Sequence, residues 1–134
     1  MRVLVLVVVL CSSAAAQADD ARLARQNYQL QCMGCHGETG AGLEGQVPSL
    51  RGTLARISGA PQGRDYVLRV PGVTQSTLSA AEVAAVLNWA LYEFSGTNAA
   101  KRIQPFTAAE VAQSRSRPLV EVSPIRAKVL RETE

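Results

Sequence analysis

Histidine and methionine are nearly absent from this sequence of 134 residues, which has His36 as its one histidine and Met1 and Met33 as its methionines. A closed structural zinc site needs four Cys or His ligands, and only Cys32, Cys35 and His36 lie together. Lysine and arginine form no cluster, and the net charge is only +3. The sequence therefore lacks the basic patch of a nucleic-acid-binding protein.

No apolar run is long enough for a transmembrane helix. The aliphatic run from Val3 to Leu10 is far shorter than the ~20 residues that such a helix needs. A basic start precedes this run, and Ala16-Gln17-Ala18 follows it as an A-x-A cleavage site, which is the layout of a secretory signal peptide. We therefore expect residues 1–18 to be removed and the mature chain to be periplasmic or otherwise exported, without a transmembrane segment. A retained anchor and lipoprotein processing at Cys11 are less favoured alternatives.

The length suits one small domain, and the first helical pattern lies at its start. Residues 21–31 contain no glycine or proline, and they predict a helix that has Asp19 or Asp20 as its N-cap and runs into the first of the paired cysteines. The many glycines of residues 37–64 predict mostly loop. Residues 65–70 predict a helix of one or two turns.

A capping box formed by Ser79 and Glu82 marks the clearest helix. Gly96 is placed to end this helix. Between these signals, the apolar residues form one stripe at helical spacing, made of Val83, Val86, Leu87, Ala90, Leu91 and Phe94. We therefore expect residues 19–96 to form the compact domain.

A helical extension is predicted for residues 97–134. Thr107 and Glu110 form a second capping box, which begins a helix that Pro118 should stop. Ser123-Pro124 then has the form of an N-cap and first helical residue, followed by a last short helix through Arg131. The extension is expected either to wrap the compact domain or to serve as a docking surface.

The segment Cys32-Met33-Gly34-Cys35-His36 has the C-x-x-C-H pattern of c-type haem attachment. Two thiols add to the two vinyl groups of one porphyrin, and the next residue must reach the iron from the same face. One helical turn places all three groups against the macrocycle. We therefore predict one covalent haem c on Cys32 and Cys35, with His36 as axial ligand. The alternatives are a disulfide, half of a zinc site, or a redox pair, whose usual βαβ pattern is absent.

The chain resembles the class I (mitochondrial-type) c-type cytochromes over residues 21–95. The resemblance consists of the first helix, the C-M-G-C-H-G segment, Gly40-Ala41-Gly42, Val47-Pro48-Ser49-Leu50, and a closing helix with Trp89 and Tyr92. It implies an all-α fold of about three core helices around one haem, with the first and last helices packed across each other. It also implies that the Pro48 carbonyl accepts a hydrogen bond from Nδ1–H of His36 and fixes its tautomer. Alternatively, Pro48 only stiffens a loop.

The resemblance also implies a mostly apolar haem pocket. Candidates for its wall, or for ordinary core, are Leu50, Leu54, Val67, Leu68, Val70, Leu78, Leu87 and Leu91. Trp89 or Tyr92 either donates a hydrogen bond to a haem propionate or covers the surface as an amphipathic lid.

The sequence departs from this family at the second axial ligand. Class I cytochromes supply a methionine from the loop before the last helix, and here residues 71–77 contain none. Because Met33 is held on the His36 side of the ring, the distal position is open or water-bound, or is filled by a partner subunit or an unusual ligand. Among internal candidates we favour Lys101, although a solvated surface charge is its simpler interpretation. The others are Lys128, Tyr28, Tyr66, Tyr92, Gln75 and the new α-amino group. We expect a lower potential than is usual in the family.

Electron transfer is the function that these features favour. The sequence has no triad, paired-carboxylate site or phosphate loop, so we expect a carrier rather than an enzyme. It would be a free shuttle or the cytochrome subunit of an oxidoreductase, with a donor dehydrogenase or an acceptor oxidase or reductase as its partner. The alternative is a haem protein with an open distal site that binds NO, CO or peroxide. Without a distal histidine, efficient peroxidase chemistry is not expected.

Overall fold

Helices dominate the structure, a computed structural model that describes residues 2–133, with side chains from residue 17 onward. Within these residues there is no strand, and a single antiparallel bridge joins Leu43 and Val47. The predicted all-α class is therefore confirmed. The helices are α1 (Arg2–Gln31), α2 (Met33–His36), α3 (Thr53–Ser58), α4 (Pro61–Arg69), α5 (Pro71–Thr74), α6 (Ala80–Ser95), α7 (Thr97–Ala100), α8 (Ala108–Ser114) and α9 (Val122–Glu132).

Helix α1 is longer than predicted. It begins at Arg2, so neither Asp19 nor Asp20 is its N-cap, and that prediction is wrong. The reason is that no glycine or proline interrupts the chain before Gly34, so neither of the two strongest helix breakers separates residues 2–20 from the predicted helix. Met1 and the side chain of Cys11, to which the export prediction refers, lie outside the described part. No helix in that part is long and apolar enough to cross a membrane.

Two helices occupy part of the stretch that was predicted as mostly loop. Helix α3 lies within residues 37–64, and α4 begins at Pro61, whose fixed φ suits the first helical position. Gly63 is a packing residue inside α4 rather than a loop residue. A Cβ at this position would collide with the backbone of Ile57 in α3. The glycine content therefore reflects a close contact between two helices as well as flexible connections.

Helix α6 follows its prediction closely. The Ser79 side chain accepts a hydrogen bond from the Glu82 N–H (3.2 Å), and the Glu82 carboxylate accepts one from the Ser79 N–H (2.8 Å). Gly96, with φ +77°, ends the helix. Of the predicted stripe, Phe94 is partly buried and the other members are buried. Helix α6 packs against α1, as expected for the first and last helices of the compact part.

The chain after residue 96 is helical in three segments. The capping box of Thr107 and Glu110 forms as predicted, although α8 ends at Ser114, before Pro118. Helix α9 begins at Val122, so Ser123 lies inside it and is not its N-cap. The ion pair between Asp65 and Arg117 and the Arg56 contacts near residue 130 tie these segments to the preceding helices.

The C-terminal segments pack onto the helices before them. Helix α8 contacts α4, α5 and α6, and α9 contacts α4. Leu119 and Val129 are buried members of the same core cluster as the α6 stripe. The guanidinium of Arg64 in α4 binds Glu110 of α8 at 2.8 Å. These contacts place α9 beside the helices that line the functional site.

Candidate cofactor site

One helical turn presents the three groups of the C-x-x-C-H pattern. The backbone N–H groups of Cys35 and His36 both donate to the Cys32 carbonyl, at 3.2 and 3.0 Å. Gly37, with φ +74°, then ends α2, and its N–H donates to the Met33 carbonyl. Cys32 and Cys35 are free thiols, so the disulfide alternative is not formed in this structure.

The two thiols and the imidazole line one cavity of about 360 Å³. This volume lies in the usual range for ligand and cofactor sites, roughly 300–1,000 Å³. Most of its wall is aliphatic. The lining residues are Tyr28, Gln31, Cys32, Cys35, His36, Gln46, Val47, Pro48, Ser49, Leu50, Thr53, Leu54, Ile57, Tyr66, Val67, Val70, Pro71, Gly72, Val73, Val86, Leu87, Ala90, Val122 and Arg126.

Several of the candidate wall residues line this cavity, namely Leu50, Leu54, Val67, Val70 and Leu87, whereas Leu68, Leu78 and Leu91 pack elsewhere. Neither aromatic candidate of α6 reaches it. Trp89 packs against Tyr28 and Phe94, with ring centroids at 5.1 and 5.5 Å, and Tyr92 is 50% exposed. The aromatic cluster therefore lies behind the cavity wall, where Tyr28 is the member that touches both.

The His36 imidazole is partly buried, with the Pro48 carbonyl near its Nδ1 atom. Its Nδ1 atom is buried and makes no hydrogen bond of good geometry within the described part of the chain. Burial lowers the pKa of His36, and the nearby Pro48 carbonyl opposes this effect as a weak acceptor. A neutral imidazole with Nδ1 directed at a carbonyl is the form in which Nε2 can bind a metal.

Gly42 allows the segment of Pro48 to approach the histidine. It has φ +74°, and a Cβ here would collide with the carbonyl oxygens of Val47 and Pro48. Its N–H also donates to the His36 carbonyl at 2.8 Å. Gly42, two residues after Gly40 in the stretch that follows the C-x-x-C-H segment, is thus the sequence signal for this close packing.

The Cys32 thiol and the neighbouring Tyr28 phenol share an environment of low polarity. Burial, followed by the neighbouring Cys35, raises the pKa of Cys32. Burial and the charge of Cys32 raise the pKa of Tyr28 to about 12, and its hydroxyl donates to the Gly37 carbonyl at 2.7 Å. Tyr28 is only 2% exposed, so its phenol is a fixed neutral donor that braces the end of the turn.

The structure separates the candidates for a second iron ligand. Tyr66 lines the cavity from α4, and burial raises its pKa, with the charge of Arg126 opposing. Lys101 is exposed after α7 and does not line the cavity. Lys128 is also exposed and outside the cavity wall, and it pairs with Glu132 at 3.8 Å. Tyr92 and Gln75 are likewise exposed and do not line the cavity.

Residues of α9 form a wall that sequence reasoning missed. Val122 and Arg126, four residues apart and so on one helix face, both line the cavity. The guanidinium of Arg126 donates to the Gln46 carbonyl at 2.7 Å and so joins α9 to the loop before Pro48. The spacing on α9 could have indicated a buried face, but nothing in the sequence indicated which part of the chain it contacts.

A second, larger hollow of about 570 Å³ lies on the other side of Tyr28. Its wall includes Met33, Trp89, Arg25 and Arg51, and neither thiol nor the imidazole lines it. Among the described residues, no three His, Cys, Asp or Glu side chains converge on a point where a metal ion could bind. The cavity of the two thiols and His36 is therefore the candidate cofactor site.

No family model matches this chain. The chain is similar to a protein named cytochrome c-552 from one strain of Thermus thermophilus, with 33% identity over 136 aligned positions that cover 88% of this chain and 88% of the relative. It is also similar to a second Thermus thermophilus protein of that name, with 33% identity over 121 positions that cover 77% of this chain and 88% of the relative.

Proposed function

This chain belongs to the c-type cytochromes, electron carriers with a covalently bound haem c, and we propose that it is an exported class I member that passes single electrons between redox proteins. Cys32 and Cys35 attach the haem, and His36 is its axial ligand. The bound haem supplies an iron that takes up and releases one electron reversibly.

The observation that carries this proposal is that two free thiols and one partly buried imidazole, all from a single turn, line the same mostly aliphatic cavity. Attachment requires Cys32, Cys35 and His36 to meet one flat group together. A cavity lined mainly by aliphatic side chains excludes water from most of that group. Exclusion of water reduces the solvent rearrangement that would otherwise accompany a change of charge inside the protein.

Pro48 has a positioning role in this proposal. Its carbonyl lies near Nδ1 of His36, and in the haem-bound protein it would accept the Nδ1–H, so that Nε2 is the free nitrogen and the ring stays at one orientation. Gly42 supports this role because only a residue without a Cβ leaves space for Pro48. The pair therefore sets the tautomer and basicity of His36 without touching the reacting group.

We propose export because an electron carrier of this kind acquires its haem outside the cytoplasm, and residues 1–18 have the layout of a signal peptide. The mature chain then begins at Asp19. Its partners are other redox proteins, and the packed C-terminal segments form part of the surface that meets them. Residues 19–96 act as the haem domain, and residues 97–134 act as its cover.

The test is expression in a host that attaches haem to C-x-x-C-H proteins. The wild type should show a Soret band, a porphyrin mass that survives denaturation, and a reversible one-electron wave in voltammetry. Cys32→Ser with Cys35→Ser should lose the covalent mass. Cys11→Ser is the control for replacing a cysteine, since residue 11 is removed with the proposed signal peptide and the change should leave the haem content unchanged.

A wild-type protein without bound porphyrin would contradict the proposal, as would a bound haem that shows no reversible wave. Export is tested separately by sequencing the N-terminus of the protein recovered from the periplasm. An N-terminus at Asp19 is the expected result, and a chain that still begins at Met1 contradicts it.

A further inference from the structure

Helix α5 occupies the segment from which class I cytochromes supply their second axial ligand. Its buried residue is Val73, which is 8% exposed and lines the cavity with an isopropyl group. Gln75 is exposed and does not line the cavity, and the hydroxyl of Thr74 is directed at the Val70 carbonyl (3.3 Å). The segment therefore presents hydrocarbon to the cavity and directs its polar groups elsewhere.

Hydrogen bonds from Arg115 and at the N-terminus of α6 hold the end of this segment in place. Arg115, the residue directly after α8, donates to the carbonyls of Ser76 (3.4 Å) and Leu78 (2.5 Å). The next residue, Ser79, is fixed as the N-cap of α6 by its reciprocal bonds with Glu82. These bonds fix the backbone that directly follows Gln75, and the side chain of Gln75 is exposed on this fixed backbone rather than directed into the cavity.

The remaining cavity side chains supply few iron ligands. Met33 lines the other hollow rather than this one. Arg126 is the one charged side chain in the described cavity wall; a guanidinium has no lone pair to give, and this one is bonded to the Gln46 carbonyl. Among the earlier candidates in the described part of the chain, Tyr28 lines the cavity but donates its hydroxyl to the Gly37 carbonyl, and Tyr66 lines it without such a bond. Because burial raises the pKa of Tyr66, its phenol stays protonated, and a protonated phenol is a weak ligand for iron.

We propose that no side chain of residues 17–133 binds the sixth position of the iron, that this position faces Val73, and that it takes neutral diatomic molecules, for which CO is the probe. The inference rests on the proposed attachment of haem at Cys32, Cys35 and His36. A mostly aliphatic wall favours neutral ligands because its one charged group in the described part, Arg126, is bonded to the Gln46 carbonyl and little else there can compensate the lost hydration of an anion. Binding is a simple addition to ferrous iron, and no electron is transferred.

The first measurement is titration of the ferrous holoprotein with CO, followed in the Soret region. The expected result is saturation at one CO per haem, with azide binding weakly to the ferric form. Val73→Met should lower CO affinity by at least about tenfold and give the red-edge band of a thioether bound to ferric haem. Val73→Leu is the matched control, since it adds bulk without a donor and should not give that band.

Three results would overturn the inference. One is a wild-type ferrous spectrum that is low-spin and unchanged by CO. Another is a Tyr66→Phe variant that loses a phenolate-to-iron band present in the wild type, which would identify Tyr66 as a ligand. The third is the absence of a thioether band in folded Val73→Met holoprotein, which would separate Val73 from the iron. In each case a covalent haem with a reversible wave leaves the proposed electron-carrier function standing.

Discussion

Replacing Arg64 with alanine should be among the most damaging single changes outside the haem cavity. Its guanidinium makes a two-pronged bond to the Glu110 carboxylate, at 2.8 and 3.0 Å. It also donates to the carbonyls of Gln104 (2.7 Å) and Pro105 (2.9 Å) and lies 4.2 Å from the ring centre of Phe106. One side chain thus fastens the C-terminal segments to α4.

The magnitude follows from these contacts. The bond to Arg64 is the main cause that lowers the pKa of Glu110 from 4.5 to about 2. For a fully buried group this shift would correspond to about 3 kcal/mol. Because the Glu110 side chain is 34% exposed, solvent screening reduces the value to about 1.5 kcal/mol. The two carbonyl bonds and the aromatic contact add about 1.5 kcal/mol. The total, about 3 kcal/mol, predicts a melting temperature lower by roughly 10 °C.

The stabilisation by Glu110 should depend on pH in a defined direction. Because folding lowers its pKa, the contribution is complete above the unfolded value of 4.5 and is lost as the pH falls to about 2. The difference between the wild type and Arg64→Ala should therefore shrink over this range.

The assay is urea denaturation of the holoprotein, followed by far-UV circular dichroism at several pH values. Arg64→Lys is the control, since it keeps the charge but cannot make the two-pronged bond. A double-mutant cycle with Glu110→Gln isolates the pair. A coupling energy below about 0.5 kcal/mol at pH 7, or a difference that stays constant down to pH 2, would refute the reasoning.

Three further substitutions should lower stability, each measured as the change in the urea midpoint of the holoprotein. Gly63→Ala should cost about 1–3 kcal/mol because its Cβ meets the backbone of α3, whereas Gly59→Ala, whose Cβ would make only ordinary contacts at 3.4–3.6 Å, should be tolerated; equal effects would contradict this packing. Ser79→Ala should cost about 1 kcal/mol through the lost N-cap of α6, and an unchanged midpoint would be evidence against it. Asn88→Ala should cost about 1–3 kcal/mol because it leaves both backbone groups of Phe106 without their partner (2.8 and 2.9 Å); full stability would imply that water replaces the amide.

Local chemistry made part of this fold predictable from sequence. The capping boxes at Ser79 and Thr107 involve groups three residues apart, so neither depends on the rest of the chain, and both form as predicted. The C-x-x-C-H turn is equally local, and the fixed spacing of its side chains accounts for their common cavity. Pro48 could be singled out only through the resemblance to a family, because its position near His36 depends on a loop that folds back.

Long-range packing accounts for most of what the sequence did not predict. The sequence predicted Gly63 to lie in a loop. Its close contact with the backbone of Ile57 depends on the packing of α4 against α3, which the sequence does not indicate. Arg126 and Gln46 are 80 residues apart, and no periodicity connects them. The place of Val73 in the cavity likewise depends on the short helix α5 and on Arg115, whose side chain comes from a segment that sequence reasoning treated as separate.

The cavity wall formed by Val122 and Arg126 has a consequence for the order of events during biosynthesis. A ribosome makes these residues about ninety positions after the paired cysteines. Until then the pocket is open along that side, so the thiols are accessible while the chain emerges and become enclosed once the final helix docks. A premature stop codon just before Val122 would therefore leave haem attachment possible, yet expose one edge of the bound group to solvent.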